Sequence, residues 1–163
     1  MQRLIIFRHG KAEAHSPSGE DIDRPLASRG VREAAETAGK LAGMGFSADL
    51  ALVSAAERTR QTWAAAAPFF PGAYARFVDQ LYFATPGHVR RIAEDLGSDA
   101  DSVIVVGHNP GLHELTLSLL VKADAGPDLI LRARQRFPTA AAAVFRLRPD
   151  IACEGLFLPE RWD

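Results

Sequence analysis

Arg3-Leu4-Ile5-Ile6-Phe7-Arg8-His9-Gly10 is the stretch that decides the fold. Its apolar residues run together without alternation, as they do in a strand buried on both faces of a parallel sheet. Leu50-Ala51-Leu52-Val53 and Val103-Ile104-Val105-Val106 repeat that character, and Ala141 to Leu147 supplies a fourth strand. The intervals between them have helical spacing. Val31, Ala34, Ala35, Ala38, Leu41 and Ala42 recur at i, i+3, i+4 and i+7, with Gly43 or Gly45 as the stop. Ala55 to Ala67 reads as a second helix ended before Pro68. Thr85-Pro86 places an N-cap and a first-turn proline ahead of Val89, Ile92, Ala93 and Leu96, and Gly97 closes this third helix. From Pro110 a fourth helix carries Leu112, Leu115 and Leu119 on one face with Leu117, Leu120 and Val121 beside it, a face broad enough to be largely buried.

Strands alternating with helices imply right-handed crossovers, and hence an α/β fold in three layers: a mainly parallel central sheet flanked by helices. At 163 residues the chain has the size of one domain, so residues 1–163 are expected to share one core. Internal repeats and low-complexity linkers are absent. The alanine-rich pieces Ala64 to Ala67 and Ala140 to Ala143 read as tight packing. The one long connection, Lys11 to Ser28, holds Ser16-Pro17-Ser18-Gly19 and the acidic cluster Glu20, Asp21 and Asp23. Loops of that length in compact domains are often functional, so it is expected to form a wall of the active site.

Composition removes several function classes. Hydrophobic residues make up 47% and charged residues 24%, an ordinary globular balance, and the formal net charge is -1. With no basic excess, the electrostatic term that dominates nucleic-acid binding has no source. The first apolar run is too short for a signal-peptide core or a membrane span, so neither a nucleic-acid partner nor a membrane is expected, and the chain is assigned to the cytoplasm. The lone Cys153 suits a reducing compartment and reads as a small core residue.

In open parallel sheets, ligands bind outside the carboxyl ends of the strands. Arg8-His9-Gly10 follows the first strand, Ser54 and then Arg58 the second, and Gly107-His108-Asn109-Pro110 the third. Two arginines and two histidines therefore collect at one edge. A lone histidine at a strand end is usually a hydrogen-bonded packing residue, but two at equivalent ends beside arginine and glycine point to chemistry. A metal centre fits poorly: arginines repel a divalent cation, and neither histidine has a carboxylate or thiolate at ligand spacing. His113 has poor spacing for sharing a ligand with His108, and His15 and His88 read as solvated. An anion fits well, because guanidinium forks match phosphate oxygens in pairs and Gly10 lets the backbone approach and offer its N–H. The arginines also disfavour protonation of His9, keeping a lone pair free to attack phosphorus.

Arg8-His9-Gly10 resembles the defining motif of the histidine phosphatase superfamily, which includes phosphoglycerate mutases. Ser54-Ala55-Ala56-Glu57-Arg58 with Gln61-Thr62 is similar to its second phosphate-binding stretch, and Gly107-His108-Asn109-Pro110 to its third element. Asp23-Arg24-Pro25-Leu26 with Arg29-Gly30, Leu81-Tyr82-Phe83-Ala84, and His108-Asn109-Pro110-Gly111 resemble the SixA-type phosphohistidine phosphatases within it. The likeness spans roughly residues 3 to 147. It implies a phosphoglycerate mutase-like fold, His9 as nucleophile, Arg8 and Arg58 on the phosphoryl oxygens, and His108 completing the pocket, with no cofactor or metal. Gly10 and Asn109 accompany them as substrate-binding candidates.

Many relatives that act on esters carry a glutamate as general acid. The nearest counterpart here is Asp79, which reads equally as that acid or as a solvated strand-end residue. A weak acid matters least for phosphohistidine, whose imidazole leaves as a neutral molecule. The expected substrate is therefore a phosphoprotein, such as a histidine phosphotransfer domain, with phosphate as product. A phosphatase for small phosphomonoesters and a phosphate-binding module without catalysis are the alternatives.

Overall fold

A computed structural model describes residues 1–160. The strands are β1 (Arg3–Arg8), β2 (Leu50–Ser54), β3 (Tyr74–Val78), β4 (Ser102–Gly107), β5 (Ala142–Arg146) and β6 (Ala152–Phe157). The helices are α1 (Ser28–Gly43), α2 (Glu57–Ala66), α3 (Pro86–Leu96), α4 (Gly111–Lys122) and α5 (Pro127–Gln135). The sheet order is β3-β2-β4-β1-β5-β6. β1 and β4 pair in parallel, as do β2 and β4 and β2 and β3, whereas β5 runs antiparallel to β1 and β6 antiparallel to β5. The sheet is thus mixed but mostly parallel and flanked by helices, the α/β architecture expected. The link from β5 to β6 is too short for a crossover, so these two strands can only form a hairpin.

The unbroken apolar runs are explained by the two layers they feed. Leu4, Ile6, Leu52, Val103, Val105 and Phe145 pack toward α3, α4 and α5, and Ile5, Phe7, Val53, Ile104, Val106 and Val144 toward α1 and α2. Successive strand residues point to opposite faces, and both faces are covered, so every position must be apolar.

Helix limits follow local chemistry. Thr85 caps α3 by accepting the His88 N–H at 3.2 Å, and Pro86 occupies the first turn, where its missing N–H costs nothing. In α1 the buried face is Ala34, Thr37, Ala38 and Leu41, while Val31, expected on it, is 43% exposed. Val121, expected beside the buried face of α4, is 62% exposed, although its neighbour Leu120 is fully buried.

β3, β6 and α5 have no counterpart in the expected pattern. β3 and β6 are the sheet's edges, paired on one side only, and Tyr74, Arg76 and Phe77 of β3 are exposed. Such strands need no continuous apolar run. Among the described residues no helix is long and apolar enough to cross a membrane.

Candidate active site

The carboxyl ends of β1, β2, β3 and β4 share one edge, and β5 begins there, with Ala142 opposite Phe7. At that edge the His9 N–H donates to the Gly107 carbonyl at 3.1 Å, and the His9 carbonyl accepts from Ala140 N–H at 2.9 Å. The backbone of His9 is therefore fixed from both sides. Its ring nitrogen Nδ1 lies 2.7 Å from the Gly10 carbonyl oxygen. A carbonyl can only accept, so Nδ1 carries the proton and Nε2 carries the lone pair.

Gly10 and Gly30 explain each other. A Cβ on Gly10 would meet the Gly30 carbonyl oxygen at 2.4 Å, and one on Gly30 would meet the Lys11 carbonyl oxygen at 2.1 Å. Only glycine at both positions lets the first turn of α1 press against the residues after β1. The expectation that Gly10 offers its N–H to an anion is corrected: it donates to Thr62 Oγ1 at 3.0 Å, whose hydroxyl in turn donates to the Arg58 carbonyl at 2.7 Å. Gly10 thus joins the His9 segment to α2.

Arg58, on the first turn of α2, is 6% exposed and reaches the long loop between β1 and α1. Its Nη1 donates to the Asp21 carbonyl at 2.9 Å and its Nη2 to Asp21 Oδ2 at 3.1 Å. The Tyr82 hydroxyl donates to the same Oδ2, and Arg24 Nε donates to Oδ1 at 2.9 Å. The loop does form a wall of the site, closed on itself by an Ala12–Leu26 bridge and by Ala27 N–H to the Lys11 carbonyl at 2.8 Å. The three donors to its carboxylate place the Asp21 carboxyl well below the usual carboxylate range, the Tyr82 hydroxyl contributing most.

Across the site Arg8 Nη1 donates to the Phe137 carbonyl at 3.1 Å, and Asn109 Nδ2 donates to the same oxygen at 2.8 Å. Asn109 therefore ties its amide nitrogen to the segment before β5, where it was expected to meet substrate. His108 sits with its ring centroid 5.4 Å from that of His9, and its Nε2 is 2.7 Å from Ser54 Oγ. Arg58 Nε, His108 Nδ1 and Asn109 Oδ1 are buried with no hydrogen-bond partner among the described residues. Buried polar groups without partners are uncommon and point to a polar ligand.

Both histidines are held neutral. The pKa of His9 is pulled from 6.5 down to about 3, first by burial, with His108, Arg8 and Arg58 adding to it against the Gly10 hydrogen bond. His108 is likewise pulled down to about 3, by burial and then by Arg58. Burial, more than the arginines, accounts for the neutral nucleophile. Because the unfolded chain binds protons at these positions below pH 6.5 and the folded chain does so only near pH 3, stability should fall as pH drops through that window. Above pH 7 the two groups should have no effect. Each histidine adds at most about 1.4 kcal/mol per pH unit to the slope, so His108→Gln should flatten the fall of melting temperature between pH 6.5 and 4. An unchanged slope would show that His108 titrates like a free histidine.

The histidines read from the sequence as outside the site, and Asp79, do not join this cluster. His113 Nε2 donates to the Ala133 carbonyl at 2.6 Å and its ring stacks on Phe137, while His15 and His88 are exposed. Asp79 is exposed on the turn that follows β3, at the same edge. Asp21 and Tyr82 are the members of the cluster for which the sequence suggested no role. The acidic cluster and the Leu81-Tyr82-Phe83-Ala84 pattern were the available signals.

Known proteins match the chain in sequence and in fold. A model of the histidine phosphatase superfamily (branch 1) matches residues 4–74. An uncharacterized protein of Mycobacterium tuberculosis is 36% identical over 141 residues, covering 86% of this chain and 87% of its own. A structure from Agrobacterium tumefaciens, provisionally assigned as the phosphohistidine phosphatase SixA, is 30% identical with a TM-score of 0.82, covering 97% of this chain and 98% of that one. A protein histidine phosphatase SixA complexed with tungstate shares the fold at a TM-score of 0.76 and 23% identity, covering 96% and 97%.

Proposed function

Because the chain belongs to the histidine phosphatase superfamily, we propose that residues 1–163 act as one phosphatase domain that removes phosphate from phosphohistidine on a protein, through a phosphoryl group held on His9. The His9 Nδ1–H bond to the Gly10 carbonyl carries this reading, since it leaves Nε2 unprotonated beside Arg8, Arg58 and His108. In the first step the Nε2 lone pair attacks phosphorus. The P–N bond of the substrate breaks toward its imidazole, which leaves neutral when its remote nitrogen carries the proton. His9 becomes a phosphorylated imidazolium whose Nδ1–H still donates to Gly10. In the second step water attacks phosphorus, His9 leaves as the same neutral tautomer, and the water proton goes to the departing phosphate or solvent.

Arg8 and Arg58 spread the charge of the transferring phosphoryl group, and His108 binds it from the third side. The tungstate bound by the SixA neighbour, an oxyanion like phosphate, supports an oxyanion pocket here. Each step uses only side chains, substrate and water.

A protein-borne substrate fits the surroundings of the pocket. The longest connection at this edge is the one between Arg8 and Ser28, and the others are short links. Phe83, with its ring centroid 4.1 Å from that of Tyr82, is 85% exposed at the mouth. An exposed aromatic surface beside the site suits contact with another protein.

The substrate test compares a phosphohistidine protein with an alkyl phosphate, following phosphate release. Phosphohistidine should be hydrolysed with much higher efficiency. Asp79→Asn should slow the ester more than the phosphoramidate, because only an alkoxide must receive a proton in the transition state. Efficient hydrolysis of esters with indifference to phosphohistidine proteins would make this a small-ester phosphatase of the same family.

A further inference from the structure

We propose that Asp21 is the internal counter-ion of Arg58: its carboxylate aims the guanidinium and competes with the phosphoryl group for it, so that product phosphate is released. This rests on the pocket described under Proposed function and names a positioning residue within it.

The observation is the way one carboxylate spends its contacts. Asp21 takes Nη1 of Arg58 with its main-chain oxygen and Nη2 with Oδ2. Tyr82 donates to that same Oδ2, and Arg24 holds Oδ1. Arg58 has two of its three nitrogens committed to Asp21, while Nε is buried without a partner among the described residues. The guanidinium is planar and rigid, so binding one edge fixes where the other edge points. Asp21 thus selects the face that Arg58 turns toward a phosphoryl oxygen.

A loop latch alone would not need a charge here. The Asp21 carbonyl already binds Arg58, and a neutral side chain could accept from Tyr82. The Asp21 side chain is 54% exposed and lies 3.1 Å from an arginine that is only 7% exposed. A fixed negative charge so close to the arginine repels a phosphate dianion and occupies one of its donors. It lowers affinity for substrate and product alike. For a site holding phosphate with two arginines, weaker product binding favours turnover.

The test titrates inorganic phosphate into the full chain by calorimetry and measures turnover of a phosphohistidine protein. Asp21→Asn should bind phosphate about two- to fivefold more tightly, the size expected of a half-exposed charge pair. Its kcat should fall by a similar factor, with the melting temperature nearly unchanged. Asp21→Ala, which adds no new donor, should also bind more tightly. A carboxylate that merely braced the loop would, when removed, loosen Arg58 and weaken phosphate. Unchanged or weaker binding in both variants, with a wild-type protein that binds phosphate and turns over, overturns this inference alone. A wild-type protein that binds no phosphate overturns the pocket assignment, and the inference with it.

Discussion

His9→Ala should abolish turnover, by at least about 10⁴-fold, while leaving phosphate binding largely in place. The asymmetry follows from the division of labour at the edge of the sheet. Nε2 of His9 supplies the electron pair that forms the new N–P bond, and no other neutral nucleophile shares its position. The side chains that bear charge are Arg8 and Arg58, held by the Phe137 carbonyl and by Asp21, not by His9. The variant should therefore still bind inorganic phosphate by calorimetry. It should also fold, since the backbone bonds from His9 to Gly107 and Ala140 do not use its side chain. Labelled substrate and rapid quench provide the direct measurement. In the wild-type protein a phosphoryl adduct on His9 should survive base and be lost in acid, as an N–P bond is. Label retained through acid, or found on another residue, would refute the assignment of the nucleophile.

Arg58→Ala should lower kcat/KM by about 30- to 1000-fold, or roughly 2 to 4 kcal/mol of transition-state stabilisation. The guanidinium also ties Asp21 and its loop to α2, which raises the question of whether the loss would be structural. Magnitudes separate the two effects. Asp21 is half-exposed, and an ion pair of that kind is worth about 0 to 1 kcal/mol, so loosening it should lower the melting temperature by only a few degrees. Arg58→Lys keeps the charge but loses the planar fork, and should recover only part of the activity. Normal kinetics with a large fall in melting temperature would instead mark Arg58 as a latch.

Much of this could be read along the chain because it is local. β1, β2 and β4 are buried on both faces, so their positions must all be apolar, and the residues that follow them must lie at one edge of a parallel sheet. That reasoning reached Arg8, His9, Arg58 and His108 without knowledge of any contact. It failed for β3 and β6, where pairing on one side relaxes the demand for apolar residues, and for α5, whose only fully buried residue is Ala133.

The sequence alone determined which residues stand at the edge of the sheet; which atoms they offer was decided by tertiary structure. Thr62 takes the Gly10 N–H from 52 residues away, and Phe137 holds Arg8 and Asn109 through one carbonyl. Asp21 meets Arg58 across 37 residues and Tyr82 across 61. Periodicity reports the face of an element that a residue occupies, because that depends on neighbours a few positions away. A hydrogen bond between distant residues depends on how loops and helices pack against the sheet, and on burial that strips water from the histidines. Those are properties of the folded chain, and they made the His9 lone pair and the Asp21 contact visible only in three dimensions.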